Sequence, residues 1–286
     1  MLLEKFQDLS KFSHTNITII NYLLQNLNDI DKITISELAR ETYTSNPTII
    51  RFCHRLGFNG FKDFKIQLIK EINCLYEKIN IINPNIPFES ADTLTTISHN
   101  LSELIQISIN KTYLSLNIEM LKKAIKMILD AKRLFIFGKG DSYIRAQSFK
   151  NRMIKINKYI ILADENHEGS YNVRNVSSED CALFLTYSAT HYDYNSFINI
   201  LKVSRVPTIV ITANPDALLA KKCDVVIAIP QDESFDSKIA CFTSQIAFEY
   251  ILDIIYSAIF DRNYHSNYDE KKLKEKYVNK IISGEL

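Results

Sequence analysis

The sequence predicts two domains of different class: an all-α N-terminal domain, then an α/β domain with a five-stranded parallel sheet sandwiched by helices. Apolar residues recur at helical spacing through residues 1–78, whereas five short, wholly apolar runs alternate with helical stretches after residue 93. Such runs indicate strands buried on both faces, as in a parallel sheet covered by helices. With 286 residues and 46% hydrophobic content, the chain can bury two cores.

The boundary between the two domains is predicted in a segment rich in proline and asparagine. Residues 80–92 hold two prolines and three asparagines, and helices stop at such runs. We therefore expect a helical domain over 1–78, a linker and the start of a connecting helix over 79–105, and the α/β domain over 106–286.

In the second domain, strands and helices are expected to alternate. The strands are predicted at 134–138, 159–162, 182–187, 208–212 and 224–229. The helices are predicted at 93–131, 142–156, 193–204, 216–221, 238–260 and 269–282. Parallel strands need crossover connections of this kind, so the order of elements agrees with the apolar character of the strands.

Composition and charge narrow the possible functions. The chain has 34 basic and 33 acidic residues, so its overall charge neither favours nor excludes nucleic acid. Five scattered cysteines without a C-x-x-C pair and six widely spaced histidines predict free thiols, no metal site and no cofactor. The sequence shows no signal-peptide pattern and no apolar run of about 18 residues, which predicts a cytoplasmic protein without a membrane partner.

Residues 34–61 have the pattern of two short helices joined by a tight turn. The second helix begins with polar residues and carries basic ones, as does a helix that enters the major groove of DNA. Ser45 is expected to cap its exposed N–H groups, and Pro47 in the first turn loses no hydrogen bond. The alternative is a helical bundle that merely uses capped helices.

In a helix-turn-helix, the first residues of the second helix face base edges, and polar neighbours contact phosphates. Base contacts are therefore expected from Asn46, Thr48 and Arg51. Phosphate contacts are expected from Ser45, Arg55 and Lys62. Between residues 40 and 70 there are six basic and two acidic side chains, which suits a phosphate backbone but equally a solvated helix surface.

The α/β domain contains a candidate anion site. The string Gly138-Lys139-Gly140-Asp141-Ser142 follows a buried strand and opens a helix, so glycines permit close backbone approach and a helix N-terminus favours negative charge. A third glycine and a clear acidic residue about 20 positions further on are missing, which argues against a dinucleotide. The expected ligand contacts here are Gly138, Gly140 and Ser142.

A second strand end supplies Thr186, Ser188 and Thr190, followed by His191, whose imidazole can add positive charge near neutral pH. Ligands bind at the carboxyl ends of strands in such sheets, so the two loops are expected to line one pocket. The alternative is that Ser142, Ser188 and Thr190 only cap helices.

The N-terminal domain carries three strings at a specific spacing. They are Ser36-Glu37-Leu38-Ala39, Arg51-Phe52-Cys53 and Leu56-Gly57-Phe58-x-Gly60-Phe61. From residue 3 to residue 71 the chain resembles the helix-turn-helix domain of RpiR-type bacterial transcriptional regulators, which implies DNA binding. The family's Ala-Gly-Val-Ser turn is replaced by Thr42-Tyr43-Thr44-Ser45, so a tyrosine stands where the family has glycine.

The α/β domain is similar to the SIS (sugar isomerase) domain, the phosphosugar-binding module of the same regulators. Gly138-x-Gly140-x-Ser142 matches the first motif of that domain. The second motif, Ser-x-Ser-Gly-x-Thr-x-Glu, is altered at Thr186, Ala189, His191 and Asp193. Alanine for glycine limits backbone approach, and histidine for threonine replaces a hydroxyl by an imidazole. The resemblance covers residues 121–260 and implies a SIS-like sensor.

These observations predict a regulator of carbohydrate metabolism genes that binds a palindromic double-stranded DNA operator. It is expected to be a homodimer or a tetramer made of two dimers, to respond to a phosphosugar effector and to have no enzymatic activity. Repression is the commoner behaviour in the family, and the sequence leaves activation open. The rival is a sugar-phosphate isomerase or lyase that uses His167, Glu168 or His191 as a base. A third interpretation is a DNA-binding regulator with a vestigial sensor.

Overall fold

The computed structural model describes residues 6, 12–26, 30–79, 82–164 and 168–284. The chain forms two compact units, Met1–Asn110 and Lys111–Leu286. The described part of the first unit is helical, and the second combines helices with a sheet. The finer limits predicted for the linker, 79–105, remain a prediction.

The first unit is built from short helices that bury one face each. They are α1 (His14–Gln25), α2 (Ile35–Glu41), α3 (Asn46–Arg55), α4 (Phe61–Ile79) and α5 (Leu94–Ser115), the last of which ends in the second unit. α2 begins after Thr34, whose hydroxyl accepts the N–H of Glu37 at 3.2 Å. In the core, Phe52 of α3 meets Phe64 of α4 edge to face with ring centroids 5.8 Å apart.

The second unit contains five parallel strands in the order β2-β1-β3-β4-β5. The strands are β1 (Leu134–Phe137), β2 (Ile160–Leu162), β3 (Cys181–Leu185), β4 (Thr208–Thr212) and β5 (Val225–Ala228). The helices are α6 (Ile118–Asp130), α7 (Asp141–Ile154), α8 (Gly169–Asn175), α9 (Tyr192–Val203), α10 (Leu218–Lys222), α11 (Thr243–Asp261) and α12 (Tyr264–Ile282). The predicted fold class is confirmed.

Helices cover both faces of the sheet, and this explains the continuous apolar runs. Successive strand side chains point to opposite faces, so Leu134 and Ile136 of β1 share one core with residues of α7 and α11. Phe135 and Phe137 enter the other core, where the Phe137 ring stacks on Phe184 at 5.0 Å. A strand buried in this way has no polar face.

Several helices differ from the prediction, among them the last, which begins at Tyr264 and not at residue 269, and three of the differences have a clear physical reason. The stretch 93–131 is two helices, because Asn117 starts α6 with a side chain that accepts the N–H of Met120 at 3.0 Å. The helix predicted over 238–260 begins at Thr243, where the buried Glu233 carboxylate accepts the N–H of Ser244 at 3.0 Å. The seven-residue α8 was not predicted, because so short a segment shows no clear periodicity.

The strand order places the two glycine- and hydroxyl-rich loops side by side. β1 lies between β2 and β3, so the chain reverses direction across the sheet at β1. In open α/β sheets, ligands bind in the crevice beyond the carboxyl ends of the two strands at such a point, which here are β1 and β3. The loops are in close contact, because a Cβ added at Gly138 would lie 3.3 Å from the carbonyl oxygen of Leu185. This crevice is the candidate ligand site.

Candidate functional site

Helix α3 has a buried apolar side and an exposed polar side. Ile49, Phe52 and Cys53 are buried in the first unit, whereas Asn46, Arg51, His54 and Arg55 are exposed. Burial raises the pKa of the Cys53 thiol to about 12, so it is an inert core residue. The helix thus presents amide, guanidinium and imidazole groups from a rigid apolar base.

The start of α3 differs from the prediction in one respect. Ser45 occupies the N-cap position, and its carbonyl accepts the N–H groups of Thr48 at 2.8 Å and Ile49 at 3.1 Å. Its hydroxyl makes no capping hydrogen bond and instead lies 2.9 Å from the Thr48 hydroxyl. The prediction that the Ser45 side chain caps the helix is therefore wrong, because Thr48 takes that hydroxyl as its partner.

The predicted DNA-contacting side chains form two local groups. Arg51 Nη2 donates to the Thr48 hydroxyl at 3.2 Å, so Ser45, Thr48 and Arg51 follow one another along one side of α3. Asn46 Nδ2 donates to the Ser36 hydroxyl at 3.3 Å and ties α3 to α2.

Two further basic residues complete the predicted set. The Arg55 guanidinium lies 5.9 Å from the centroid of the Phe12 ring, and Lys62 is exposed in the first turn of α4. The hydroxyls of Ser45 and Thr48 and these cations thus lie within two helices of the same unit.

In the second unit, the loop after β1 has the backbone expected of a close-approach site. Gly140 adopts φ 57° and ψ −128° and stands at the N-cap of α7. A Cβ at Gly138 would lie 3.3 Å from the Leu185 carbonyl oxygen and 3.5 Å from the Ser142 carbonyl group, so a side chain would fit only tightly. Ser142 is buried in the first turn of α7. The backbone here can approach an anion as closely as the sequence predicted.

The loop after β3 is held by hydrogen bonds from β4 and the residue pair that follows it. Thr212 donates its hydroxyl to the Tyr187 carbonyl at 2.9 Å, and Asn214 Nδ2 donates to the Ser188 carbonyl at 3.1 Å. The Ser188 and Thr190 hydroxyls lie 2.9 Å apart at the surface. Thr186 is buried, and its N–H still pairs with Ile211 at 3.2 Å as part of the sheet.

The altered residues of this loop keep its left-handed turn. Ala189 is buried and has φ 55°, although alanine takes this conformation less readily than glycine. His191 precedes α9, and its ring lies 5.2 Å from that of Tyr194 and 5.7 Å from that of Tyr192. Ala189 therefore holds a left-handed backbone conformation that glycine adopts more readily.

A charged cluster joins the two loops. Lys139, between the two glycines of the first loop, donates to Asp193 Oδ2 at 2.8 Å and lies 3.3 Å from His191 Nε2. The hydrogen bond from Lys139 holds the pKa of Asp193 below its ordinary value. Lys139 was not among the predicted site residues, although its position between the two glycines indicates a cation in the predicted anion site.

A half-buried acidic group lies next to this cluster. Tyr194 donates its hydroxyl to Asp164 Oδ2 at 2.6 Å, and burial raises the pKa of Asp164. A side chain at Gly169 would collide with Asp164, since a Cβ there would lie 2.2 Å from Oδ1. Asp164 was missed as well, and the signal was its place two residues after the strand β2.

His167 and Glu168 are the two other candidate bases for an enzyme. His167 lies outside the described residues, and Glu168 is exposed at the N-cap of α8. Across the described ranges, no group of three or more His, Cys, Asp or Glu side chains is placed to hold a metal. None of the described helices is long and apolar enough to cross a membrane.

Family models match both units. The helix-turn-helix domain of the rpiR family matches residues 1–74, and the SIS domain matches residues 127–252. An uncharacterized HTH-type transcriptional regulator of Haemophilus influenzae is 25% identical over 260 residues, which are 89% of this chain and 86% of that protein. Another, from Clostridium perfringens, is 26% identical over 267 residues, 92% of this chain and 93% of that protein.

Solved structures share the fold. The Vibrio vulnificus NanR protein complexed with ManNAc-6P matches with a TM-score of 0.59 at 19% identity, over 98% of this chain and 99% of that one. The sugar isomerase domain of an RpiR transcription factor from Sphaerobacter thermophilus matches with a TM-score of 0.52 at 13% identity, over 64% of this chain and 97% of that one.

The first unit carries a helix-turn-helix whose second helix is polar and exposed, and the second unit is a SIS domain. Together the two units define a two-domain helix-turn-helix regulator. The chain belongs to the RpiR family of HTH-type transcriptional regulators.

Proposed function

We propose that this regulator binds a palindromic double-stranded DNA operator as a homodimer through α3, and that a phosphosugar bound beside the sheet alters the operator affinity. The observation that carries the proposal is the two-sided character of α3, with Phe52 buried below and Arg51 exposed above. Such a helix, second in a helix-turn-helix, suits the major groove. A two-fold operator requires a two-fold assembly, either a dimer or a tetramer made of two dimers.

Roles in DNA recognition follow from the donor chemistry. The Arg51 guanidinium can donate two parallel hydrogen bonds to a guanine, and the Asn46 amide can pair with an adenine edge. Thr48 contacts a base directly or orients Arg51, to which it is already bonded at 3.2 Å. We assign phosphate contacts to Ser45, Arg55 and Lys62, which fix the register without reading sequence.

The second unit supplies the sensor. Gly138, Gly140 and Ser142 offer backbone approach and a helix N-terminus to a phosphate. We assign Thr186, Ser188, Thr190 and His191 to the same ligand site, because they follow the neighbouring parallel strand β3. Phosphate carries two negative charges near neutral pH, so it competes with Asp193 for the Lys139 ammonium. The bound ManNAc-6P of the NanR structure supports a phosphorylated sugar as the effector class.

When the phosphate replaces Asp193 as the partner of Lys139, the ligand makes a contact that differs between two conformational states of the protein. A ligand can shift the equilibrium between two states only if it interacts with them differently. We propose that this shift changes the operator affinity and that the protein acts in the cytoplasm as a repressor of carbohydrate metabolism genes. The naming of full-length relatives as transcriptional regulators supports this reading.

The rival function is isomerisation or lysis of a sugar phosphate. It draws on His191, which lies 3.3 Å from Lys139, and on Asp164, whose pKa burial raises. We propose that the chain has no such activity. The test is to incubate the protein with a panel of ketose and aldose phosphates in deuterated water and to follow the sugars by NMR. Incorporation of deuterium at a carbon of the sugar, catalysed by the protein, would establish proton abstraction next to a carbonyl.

Operator binding is tested with duplexes that a randomised library yields after selection on the full-length protein. Fluorescence anisotropy with these duplexes should show specific binding weakened by about fivefold to 150-fold in Arg51→Ala, because a bidentate base contact contributes about 1–3 kcal/mol. Arg174→Ala, an equally exposed arginine in α8, is the matched control. Unchanged operator affinity in Arg51→Ala contradicts the assignment.

A further inference from the structure

The turn between α2 and α3 contains a residue in an unfavourable backbone conformation. Tyr43 has φ 52°, in the left-handed region that residues with a Cβ rarely adopt. Its conformation is set by neighbouring hydrogen bonds, in which the N–H of Thr44 donates to the Ala39 carbonyl at 2.8 Å and the N–H of Tyr43 to the Arg40 carbonyl at 3.2 Å. Any residue at this position must therefore accept a positive φ.

The buried neighbour Thr42 reinforces the same turn. Its hydroxyl donates to the Leu38 carbonyl at 2.6 Å and lies 3.0 Å from the Thr44 hydroxyl. The turn is thus held by residues on both sides of Tyr43. The resembling family places glycine at this point, which is the residue that the backbone favours.

Burial of the Tyr43 side chain does not offset this backbone strain. It is 96% exposed, more than any other large apolar or aromatic side chain in the described residues. Other exposed tyrosines are partly covered, as is Tyr192 at 77% exposure with its ring stacked near His191. A strained position that holds a bulky and unburied aromatic points to a function outside the folded chain.

The position of Tyr43 identifies that function. It lies two residues before Ser45, so their Cα atoms are at most about 7 Å apart. In a helix-turn-helix, the first helix crosses the DNA backbone while the N-terminal residues of the second enter the major groove. The turn between them therefore meets the sugar–phosphate strand that borders the groove. A phenol is a neutral hydrogen-bond donor suited to a phosphate oxygen.

We propose that Tyr43 is an additional DNA-contacting residue, whose hydroxyl donates a hydrogen bond to a phosphate oxygen beside the groove that α3 enters. The inference rests on the proposed operator-binding function of α3. The left-handed turn directs the side chain away from the protein, and the contact strengthens binding to any sequence. Because the phenol is uncharged, it releases no counterion, and the salt dependence of binding does not change.

The test measures affinity and thermal unfolding on the same full-length variants, Tyr43→Gly and Tyr43→Phe. The probes are the library-selected operator duplex and a scrambled duplex of equal length, each at several salt concentrations. Both variants should bind both duplexes about tenfold more weakly, in line with loss of a hydrogen bond to a charged group. The slope of log affinity against log salt should match wild type, whereas Lys62→Ala should reduce it by about 0.9.

Stability provides the second readout. Tyr43→Gly should unfold at or above the wild-type temperature, because glycine relieves the left-handed strain. Tyr171→Phe, which removes a hydroxyl from a tyrosine that is 77% exposed in α8, is the control and should bind as wild type does.

Two outcomes overturn the inference. Wild-type affinity in Tyr43→Phe excludes the hydroxyl contact, and a lowered unfolding temperature in Tyr43→Gly shows that the ring serves the fold. If Arg51→Ala loses binding while the Tyr43 variants retain it, only this inference fails. If Arg51→Ala also binds normally, the proposed role of α3 fails with it.

Discussion

The Lys139 ammonium lies 2.8 Å from a carboxylate oxygen of Asp193, and this ion pair connects the loop after β1 to the first turn of α9. The pair crosses the crevice between the two loops that resemble SIS motifs. Both side chains are partly exposed, at 36% and 23%, so their attraction contributes little to stability. The ion pair instead positions the Lys139 ammonium, which it keeps at the crevice in the absence of an anion.

Removal of either partner should therefore affect ligand binding in opposite directions. Asp193→Asn deletes the internal competitor and should tighten phosphosugar binding, whereas Lys139→Ala should weaken it about tenfold by loss of a charge-assisted hydrogen bond. Calorimetric titration with hexosamine and hexose phosphates measures both. Lys132→Ala, which breaks the exposed pair with Glu179, is the control. Equal affinities in all three variants would remove the pair from the ligand site.

Ser188→Ala should reduce the response to ligand and leave operator affinity intact. Its hydroxyl accepts the N–H of Thr190 at 3.4 Å and lies 2.9 Å from the Thr190 hydroxyl, so its proton can be donated to a phosphate oxygen in place of Thr190. We expect phosphosugar affinity to fall about tenfold or more, the value of one hydrogen bond to a charged group. Thermal shift and anisotropy measure the two quantities, with Ser170→Ala in α8 as the control. Undiminished ligand affinity would place Ser188 outside the pocket.

Asp180 should stabilise the second unit at neutral pH and lose that effect in acid. Arg133 donates to both of its oxygens at 2.9 and 2.8 Å, and Ser177 adds two hydrogen bonds, which lower the pKa of Asp180 to about 2. A carboxyl group with a depressed pKa in the folded state stabilises above its ordinary pKa near 4, and this contribution disappears as pH falls toward 2.

We therefore expect Asp180→Asn to lower the free energy of unfolding by about 2 kcal/mol at pH 7 and by much less near pH 2. Denaturant unfolding at several pH values measures the difference. Glu179→Gln, the exposed neighbour, should change little at any pH. A destabilisation in Asp180→Asn that is independent of pH would show that shape, not charge, is what matters there.

Glu233 is the buried group on which the start of α11 depends. Burial acts to raise its pKa, but hydrogen bonds from Ser244, Lys238 and Thr243 outweigh burial and hold the pKa below its ordinary value. Glu233→Gln should cost about 3 kcal/mol, because it leaves Lys238 without its buried countercharge. Chemical denaturation measures the cost. Asp216→Asn, at a highly exposed carboxylate, should stay near wild type.

Local pattern was sufficient for most elements of the fold. The strand 208–212 agrees with the prediction to the residue, since a short run of β-branched residues with an apolar centre, placed between helices, favours a doubly buried strand. The break at Asn117 was not predicted, because a capping side chain interrupts a helix without interrupting the apolar pattern. Periodicity reports which faces are buried, not where hydrogen bonding stops.

The candidate sites were predictable only in part. Arg51, Ser188 and His191 carry donors or acceptors at recognisable spacing, and the structure brings each to the surface of its own unit. In the sequence, Tyr43 is recognisable only as a residue that replaces the glycine of the resembling family. Its proposed DNA contact depends on a φ of 52° and an exposure of 96%, which a residue pattern does not contain.

The order of a helix-turn-helix domain and an α/β domain could be predicted from the residues alone, because helical periodicity and continuous apolar runs are local signals of burial. Which charges meet at the crevice depends instead on how the chain folds in three dimensions. Lys139 and Asp193 are 54 residues apart, and they meet because β1 pairs with β3. That pairing depends on the packing of whole helices against the sheet, which is a collective property of the fold.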